Sequence, residues 1–510
     1  MIPPEATFYR SVLAVLALAV PLYPGNAAED APTREADPDL RLKEAITASL
    51  ASNFAYRIAG LNPSIARQAV TEAEARFDPE IFAQGSLSQS IQETTFTATT
   101  GTSSDNRSWL AGVRKRFAYG TAVSAQTNLS RRDSNAGVNT SNLSQTADLS
   151  LSVRQPLLRG FGPEANLAEV ERAGAGYEAS REALRGTLLD VLAETERAYW
   201  NVARLQEQLE LNQSSLEVAD SLLEEARERR RVGIATEVEV LQAEAARARQ
   251  REDIIETRRL LGDAIDSLLS FMGLVQTSGT PSLDEQPMVQ SLADVGGPIP
   301  DFTRVWNQAQ VEDPVLSRQE FLINQQEWQT RSARTELRPN LDLVLSGAYI
   351  GLDDADADIA YENALDGKGH AWSVGVEFSM PWRLRGERAS LLASEQRLEQ
   401  EELRYLELKQ SLFRQVRSTW RTLESLEQSL EAARLTVSLQ EATFQQEKGK
   451  YEEGISVFRD VLEVQRDLDQ ARIRLLQAKY NRLSSEIDIA RLTGSLFERH
   501  GLNREDLIPE

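Results

Sequence analysis

Between Ile81 and Gln155 apolar and polar residues alternate; beyond Pro163 they recur at helical spacing for almost seventy residues. The first period is that of a half-exposed strand, the second that of an amphipathic helix. In "IFAQGSLSQ", "WLAGVRKRF" and "DLSLSVRQP" one side collects apolar residues, among them Trp109, Ala111, Val113, Leu149, Leu151 and Val153. Ser150, Ser152 and Arg154 take the opposite side. Loops rich in Ser, Thr, Asn and Gly, such as "TATTGTSSDN", separate the strands. A helical pattern over Asp39 to Arg76 precedes them and ends at Asp78-Pro79. From Pro163, a favourable first helical residue, to Arg231 there is no proline. Those 69 residues would reach about 100 Å. Leu188, Thr195, Val202, Leu209, Leu216 and Leu223 recur every seven positions, with Leu184, Val191, Ala198 and Leu205 beside them. That spacing predicts a heptad seam. Gly233 interrupts it, and a second helix is expected from Thr236 to Met272.

After a segment rich in Gly, Pro and Ser the plan recurs. A helix is expected from Phe302 to Leu337, then the strands "LDLVLSGAYI" and "AWSVGVEFSMPW" on either side of an acidic loop. A long helix from Glu387 to Lys448 follows, with Leu391, Leu398, Tyr405 and Leu412 seven apart. A four-residue stutter at Val416 leads to Leu423, Leu430, Val437 and Phe444. Gly454 breaks the pattern before a last helix to Leu492. Gly233 and Gly273 are 40 residues apart, as are Gly454 and Gly494. The expected organisation is therefore a duplication: 1–28 signal peptide, 29–274 first repeat, 275–300 linker, 301–494 second repeat, 495–510 tail.

Composition narrows the function. Arg10 precedes the apolar "SVLAVLALAV", and Ala27 and Ala28 suit a cleavage site, so the start reads as a secretory signal. That core is too short for a comfortable span, and no later run of 18 apolar residues occurs. A net charge of −22 disfavours nucleic acid as a partner. The absence of cysteine excludes disulfides, zinc–thiolate sites and a lipidated cysteine. His370 and His500 are the only histidines, so no metal and no cofactor are expected. "DDADAD", Asp353 to Asp358, reads as a solvated loop rather than a calcium or catalytic site. There is no GxxxxGK[ST] run, so any driving energy must come from a partner.

The seams mix Leu with Ala, Thr and Ser, so each long helix needs several neighbours. Strands of about ten residues suit a tilted crossing of a bilayer, which admits sheet only as a closed barrel. Four principal strands per chain cannot close one; three copies would pool twelve. The extra hairpin around Phe117 to Ser130 would extend a strand pair or form an external loop. "QPLLRGFGP" is then the joint between strand and helix. Pro156 ends the strand, Gly160 and Gly162 turn the chain, and Pro163 starts the helix. Pro381 to Gly386, "PWRLRG", holds the equivalent place.

At this joint the chain resembles the TolC-type outer membrane efflux family. "VRQPLLRGFG", "FDPEIF", "VGIATEVEVLQAE" and "YEEGISVFRDVLEVQRDLDQARIRLLQAKYNRL" carry the resemblance, which covers almost all of the mature chain. It implies a mainly α fold with a membrane β-barrel: a homotrimer whose twelve-stranded barrel sits in outer-membrane lipid and continues as a periplasmic α-helical tunnel. It also implies a periplasmic membrane-fusion adaptor and an inner-membrane pump (RND, ABC or similar), as in efflux or type I secretion. By the same resemblance Asp460 and Glu463 match a ring of acids at the channel aperture, and Tyr451 matches a gating tyrosine. An arginine of the family is replaced by Ser456. Gly233, Glu239 and Gly454 mark the tips that would contact the adaptor. Asp460 and Glu463 stand one helical turn apart, and three copies would focus six carboxylates on a narrow mouth. The competing reading is a structural coiled-coil surface protein without transport, which explains the heptads but not the paired strand blocks.

Overall fold

The computed structural model describes residues 39–91, 103–134, 143–274, 288–292, 298–503 and 507. The expected signal peptide and most of the linker lie outside these residues. The elements, in order, are β1 (Asp39–Leu40), α1 (Leu42–Ser52), α2 (Phe54–Ala75), β2 (Glu80–Ile91), β3 (Ser103–Arg116), β4 (Ala122–Ser134) and β5 (Leu143–Pro156). Then come α3 (Pro163–Asn166), α4 (Ala168–Arg231), α5 (Glu237–Phe271), β6 (Met288–Val289), α6 (Phe302–Glu312) and α7 (Pro314–Thr335). The rest are β7 (Asn340–Asp353), α8 (Ala357–Leu365), β8 (Gly369–Ser379), α9 (Arg385–Glu452), α10 (Phe458–Leu492) and α11 (Leu496–Arg499).

Three expected single helices are each two: the one from Pro163 is interrupted at Leu167, between α3 and α4, and the other two divide at short polar residues. The Asn53 side chain accepts from the Tyr56 N–H at 3.0 Å and starts α2 afresh. Asp313 accepts from the Leu316 N–H at 2.8 Å, with Pro314 as the first residue of α7. Short polar side chains compete for backbone donors, and at both places that local bond replaces continuous helix.

The strands β2 to β8, without the short β6, form one antiparallel sheet in the order β2-β3-β4-β5-β7-β8. Among the described residues, six strands rather than four therefore make up this sheet. The hairpin near Phe117 to Ser130 is fully built into the sheet, because β4 pairs along its length with β3 on one side and β5 on the other. α8 lies across the end of the sheet far from the long helices. Its Ala360 and Ala364 are buried, and the Ala360 carbonyl occupies the space a side chain on Gly351 would need.

α4 has 64 residues and α9 has 68, so each runs for about 100 Å. α4 packs along α5, and α9 along α10, as two antiparallel hairpins. The seam buries Leu188, Thr195, Val202 and Leu223 almost completely. One core cluster joins α1, α4, α5, α10 and α11 around Tyr199, Trp200, Leu268 and Ile487. The tail contributes Leu496 and Phe497 to it. A second cluster lies at the far tips of the hairpins, around Leu222, Val240, Phe444, Tyr451, Phe458 and Val461. No helix among the described residues is long and apolar enough to cross a membrane.

Candidate functional site

The two helix hairpins turn in the same way. Gly233 (φ +79°) and Gly454 (φ +77°) take the left-handed conformation that glycine adopts without steric cost. The Ile234 N–H reaches back to the Arg229 carbonyl at 2.9 Å, and the Ile455 N–H to the Lys450 carbonyl at 2.8 Å. Both are six-to-one bonds of a Schellman cap. Glu239 closes the first turn as a helix cap: it accepts from the Thr236 N–H at 3.3 Å while Thr236 Oγ1 accepts from the Glu239 N–H at 3.4 Å. At the second turn Ser456 instead donates to Glu447, which Lys450 also pairs at 3.0 Å. Those two contacts hold the Glu447 carboxyl below its usual range.

Tyr451 is buried, and its ring lies 5.4 Å from that of Phe458. Arg229, from the other hairpin, stacks its guanidinium 4.1 Å above the tyrosine ring and donates from Nη2 to the Tyr451 carbonyl at 3.2 Å. Glu225 holds Arg229 from behind at 3.1 Å. Burial pushes the Tyr451 phenol up, against the opposing pull of Arg229. This bridge between the repeats was not anticipated; its only sequence signal is an arginine one turn before Gly233.

Asp460 and Glu463 lie in the first two turns of α10, away from the buried face formed by Phe458, Val461, Gln465 and Leu468. Asp460 pairs with Arg459 at 3.2 Å. Glu463 is exposed and lines a groove between α4, α5 and α10, together with Arg249, Arg459 and Arg466. The acids thus stand among arginines. At the floor of the same groove sits Asp469, only 5% exposed. It accepts from Ser215 at 2.7 Å, Gln465 at 3.0 Å and Gln250 at 3.2 Å. Burial raises its pKa despite these bonds.

The outer surface of the tips is apolar where water would be expected to select polar residues. Val232, Ile234, Val238, Ile455 and Val457 are all more than half exposed.

At the opposite end of the long helices the first joint is built as the sequence suggests locally. β5 ends at Pro156, Gly160 and Gly162 have positive φ, and Pro163 is the first residue of α3. Asn166 Nδ2 ties both glycine carbonyls, at 2.8 and 2.9 Å. The second joint differs. After Pro381 the left-handed residue is Leu384 (φ 46°), whereas Gly386 already lies inside α9 with open space around it. Gly386 is therefore not the turning residue, and the strain of the turn falls on a leucine held by burial.

A family model described as outer membrane efflux protein matches residues 119–274 and 305–495. No curated protein matches the chain. Among solved structures, the chain is similar to the CmeC outer membrane channel of Campylobacter jejuni, at 16% identity and a TM-score of 0.66, covering 91% of this chain and 87% of that one. A membrane protein from Pseudomonas aeruginosa gives 18% identity and a TM-score of 0.65, covering 89% of this chain and 92% of that one. The open state of the Neisseria gonorrhoeae MtrE outer membrane channel gives 18% and 0.62, covering 89% of each chain.

Proposed function

The chain belongs to the outer membrane efflux protein family, and on that premise we propose that three copies form the outer-membrane exit duct of a tripartite efflux or type I secretion system. As a family member it is a conduit of the outer membrane and periplasm, not an enzyme. The observation that carries the fuller reading is the union, in one chain, of an amphipathic six-stranded sheet with helices about 100 Å long. The sheet's apolar face needs lipid, and its free edges need partner strands. The helices need more neighbours as well. Phe54, Ile58, Leu61 and Ile65 form an exposed stripe on α2, and Leu403, Leu406, Leu435 and Leu439 are exposed on α9. Such stripes, left bare in one copy, suit the contacts of a symmetric assembly.

In this reading the β-barrel spans the outer membrane and the helices enclose a periplasmic tunnel. The aperture lies at the tips, near Tyr451, Asp460 and Glu463. Gly233, Glu239 and Gly454 shape the ends that meet a periplasmic membrane-fusion adaptor, which couples the duct to an inner-membrane pump. The exposed Ile234 and Ile455 supply apolar contact there. A structural coiled-coil surface protein would have no use for an uncovered apolar sheet face. The test is to purify the protein in detergent, determine its mass by native mass spectrometry, and record currents across a planar bilayer. Trimers that conduct support the duct; a monomer, or trimers that insert without conducting, would overturn it.

A further inference from the structure

We propose that β3 and β4 are two additional membrane-crossing strands, so that each copy gives six strands and three copies close a barrel of eighteen. The inference rests on the duct reading above and departs from the twelve strands that the family resemblance implies.

The hairpin has the dimensions of its neighbours. β3 has 14 residues and β4 has 13, against 14 each for β5 and β7. An external loop would leave one edge of β4 free, yet both of its edges are paired.

The register carries the same two faces through the hairpin. One row runs Ile81, Val113, Ala125, Leu151, Gly347, Trp372 across all six strands. The next row on the other face runs Glu80, Arg114, Ser124, Ser152, Ser346, Ser373. Paired residues point to one side of a sheet, so β3 and β4 continue the apolar face and the polar face without a break. Among the described residues the cross-strand ion pairs lie on the polar face. Glu80 and Arg114 pair at 2.6 Å on the polar face, the face on which Arg154 meets Asp342 and Glu377, both at 2.7 Å. Ion pairs suit a watery lumen and would be costly against lipid. The apolar face turns polar at its two ends: at Lys115 and Gln155 beside the long helices, and at Arg107, Arg131, Gln145 and Asp353 at the far end, where α8 covers Ala147 and Gly351.

The hairpin also turns at the correct end. The Phe117 N–H bonds the Thr121 carbonyl at 2.9 Å, and the Gly120 N–H bonds the Phe117 carbonyl at 2.8 Å, closing a tight turn beside the long helices. The Gly162 N–H ties this turn to the strand–helix joint through the Tyr119 carbonyl at 3.3 Å. Outer-membrane barrels place their short turns on this periplasmic side. Finally, six strands alternate in direction, so β8 of one copy and β2 of the next run antiparallel, as closure requires. Neither edge strand contains a lysine or proline to block pairing.

With strands about 4.8 Å apart and tilted by about 40°, eighteen strands give a barrel about 36 Å across between backbones, against about 24 Å for twelve. The extra hairpin therefore widens the exit, and restriction is left to the helical end.

Because the chain has no cysteine, single-cysteine variants report one position each. Trimers in lipid nanodiscs should react with a membrane-impermeant maleimide at Ser124→Cys and Gln126→Cys, but roughly tenfold more slowly at Ala111→Cys and Ala125→Cys, which face lipid. Ser150→Cys and Leu151→Cys on β5 are the reference pair. Uniformly fast labelling of β3 and β4 with a preserved difference on β5 would make the hairpin external, ending this proposal and leaving the duct intact. No difference on β5 would end the duct reading too. Single-particle imaging of the unmodified trimer gives an independent count: eighteen strands support the proposal, and twelve overturn it.

Discussion

The guanidinium of Arg229 lies 4.1 Å above the ring of Tyr451, across the gap between the two helix hairpins. The pair fastens the end of α4 to the end of α9 a turn before the chain reverses in each. A cation over an aromatic face contributes about 0.5–2 kcal/mol, depending on how far water is excluded. Ser456 stands where the family resemblance implies an arginine, and it is bonded within its own turn. Arg229→Ala should release the α4–α5 hairpin from its neighbour and raise single-channel conductance in a bilayer several-fold, while Arg229→Lys changes it less. Identical currents in all three proteins would show that the pair does not hold the tips.

Neutralising Asp460 and Glu463 tests the aperture. Both are accessible on α10, and threefold repetition would concentrate their field. The double variant Asp460→Ala, Glu463→Ala should lose block by divalent cations and shift the reversal potential in a salt gradient away from cation preference. Arg459, which pairs with Asp460, would then add uncompensated positive charge. Unchanged block and selectivity would place the constriction elsewhere.

The bare apolar tips make a prediction about assembly. Ile234→Asp together with Ile455→Asp should leave trimers intact, because both side chains are about three-quarters exposed. Chemical crosslinking to a co-produced periplasmic membrane-fusion adaptor should fall at least several-fold, as charge enters an apolar contact. Undiminished crosslinking would move the docking surface away from the turns.

Asp469 predicts a pH dependence. Its folded-state pKa is raised by burial above the ordinary 3.8. The folded protein then holds this proton more tightly than the unfolded chain, so the group's contribution to stability falls as pH rises from the ordinary value through the raised one. Asp469→Asn, whose amide can still accept from Ser215, should remove that fall. The difference in unfolding temperature between variant and parent should grow in the variant's favour as pH rises over this window. A constant difference would mean that Asp469 titrates alike in both states.

Much of the architecture was legible locally. The long helices, their glycine interruptions at Gly233 and Gly454, and the alternation in β3, β5, β7 and β8 all follow from spacing and from residues with narrow torsional preferences. β4 was the weak point: "TAVSAQTNLS" alternates alanine and valine with small polar residues, so the contrast between its faces is low. Only its pairing on both sides reveals that it is as much a strand as the others. The candidate site was legible as a set of positions but not as a set of contacts. Nothing in the segment around Arg229 names Tyr451, more than two hundred residues away, as its partner.

By itself the sequence determined which segments are helix and which are strand, which face of each is apolar, and where the chain must reverse. These depend on neighbours a few residues apart, whose side chains restrict torsions and set periodicity. The tertiary structure decided how many strands share the sheet, that Leu384 rather than Gly386 bends the second joint, and that an arginine of one repeat covers a tyrosine of the other. Those outcomes depend on which surfaces meet, and the energy of meeting belongs to pairs that are distant along the chain.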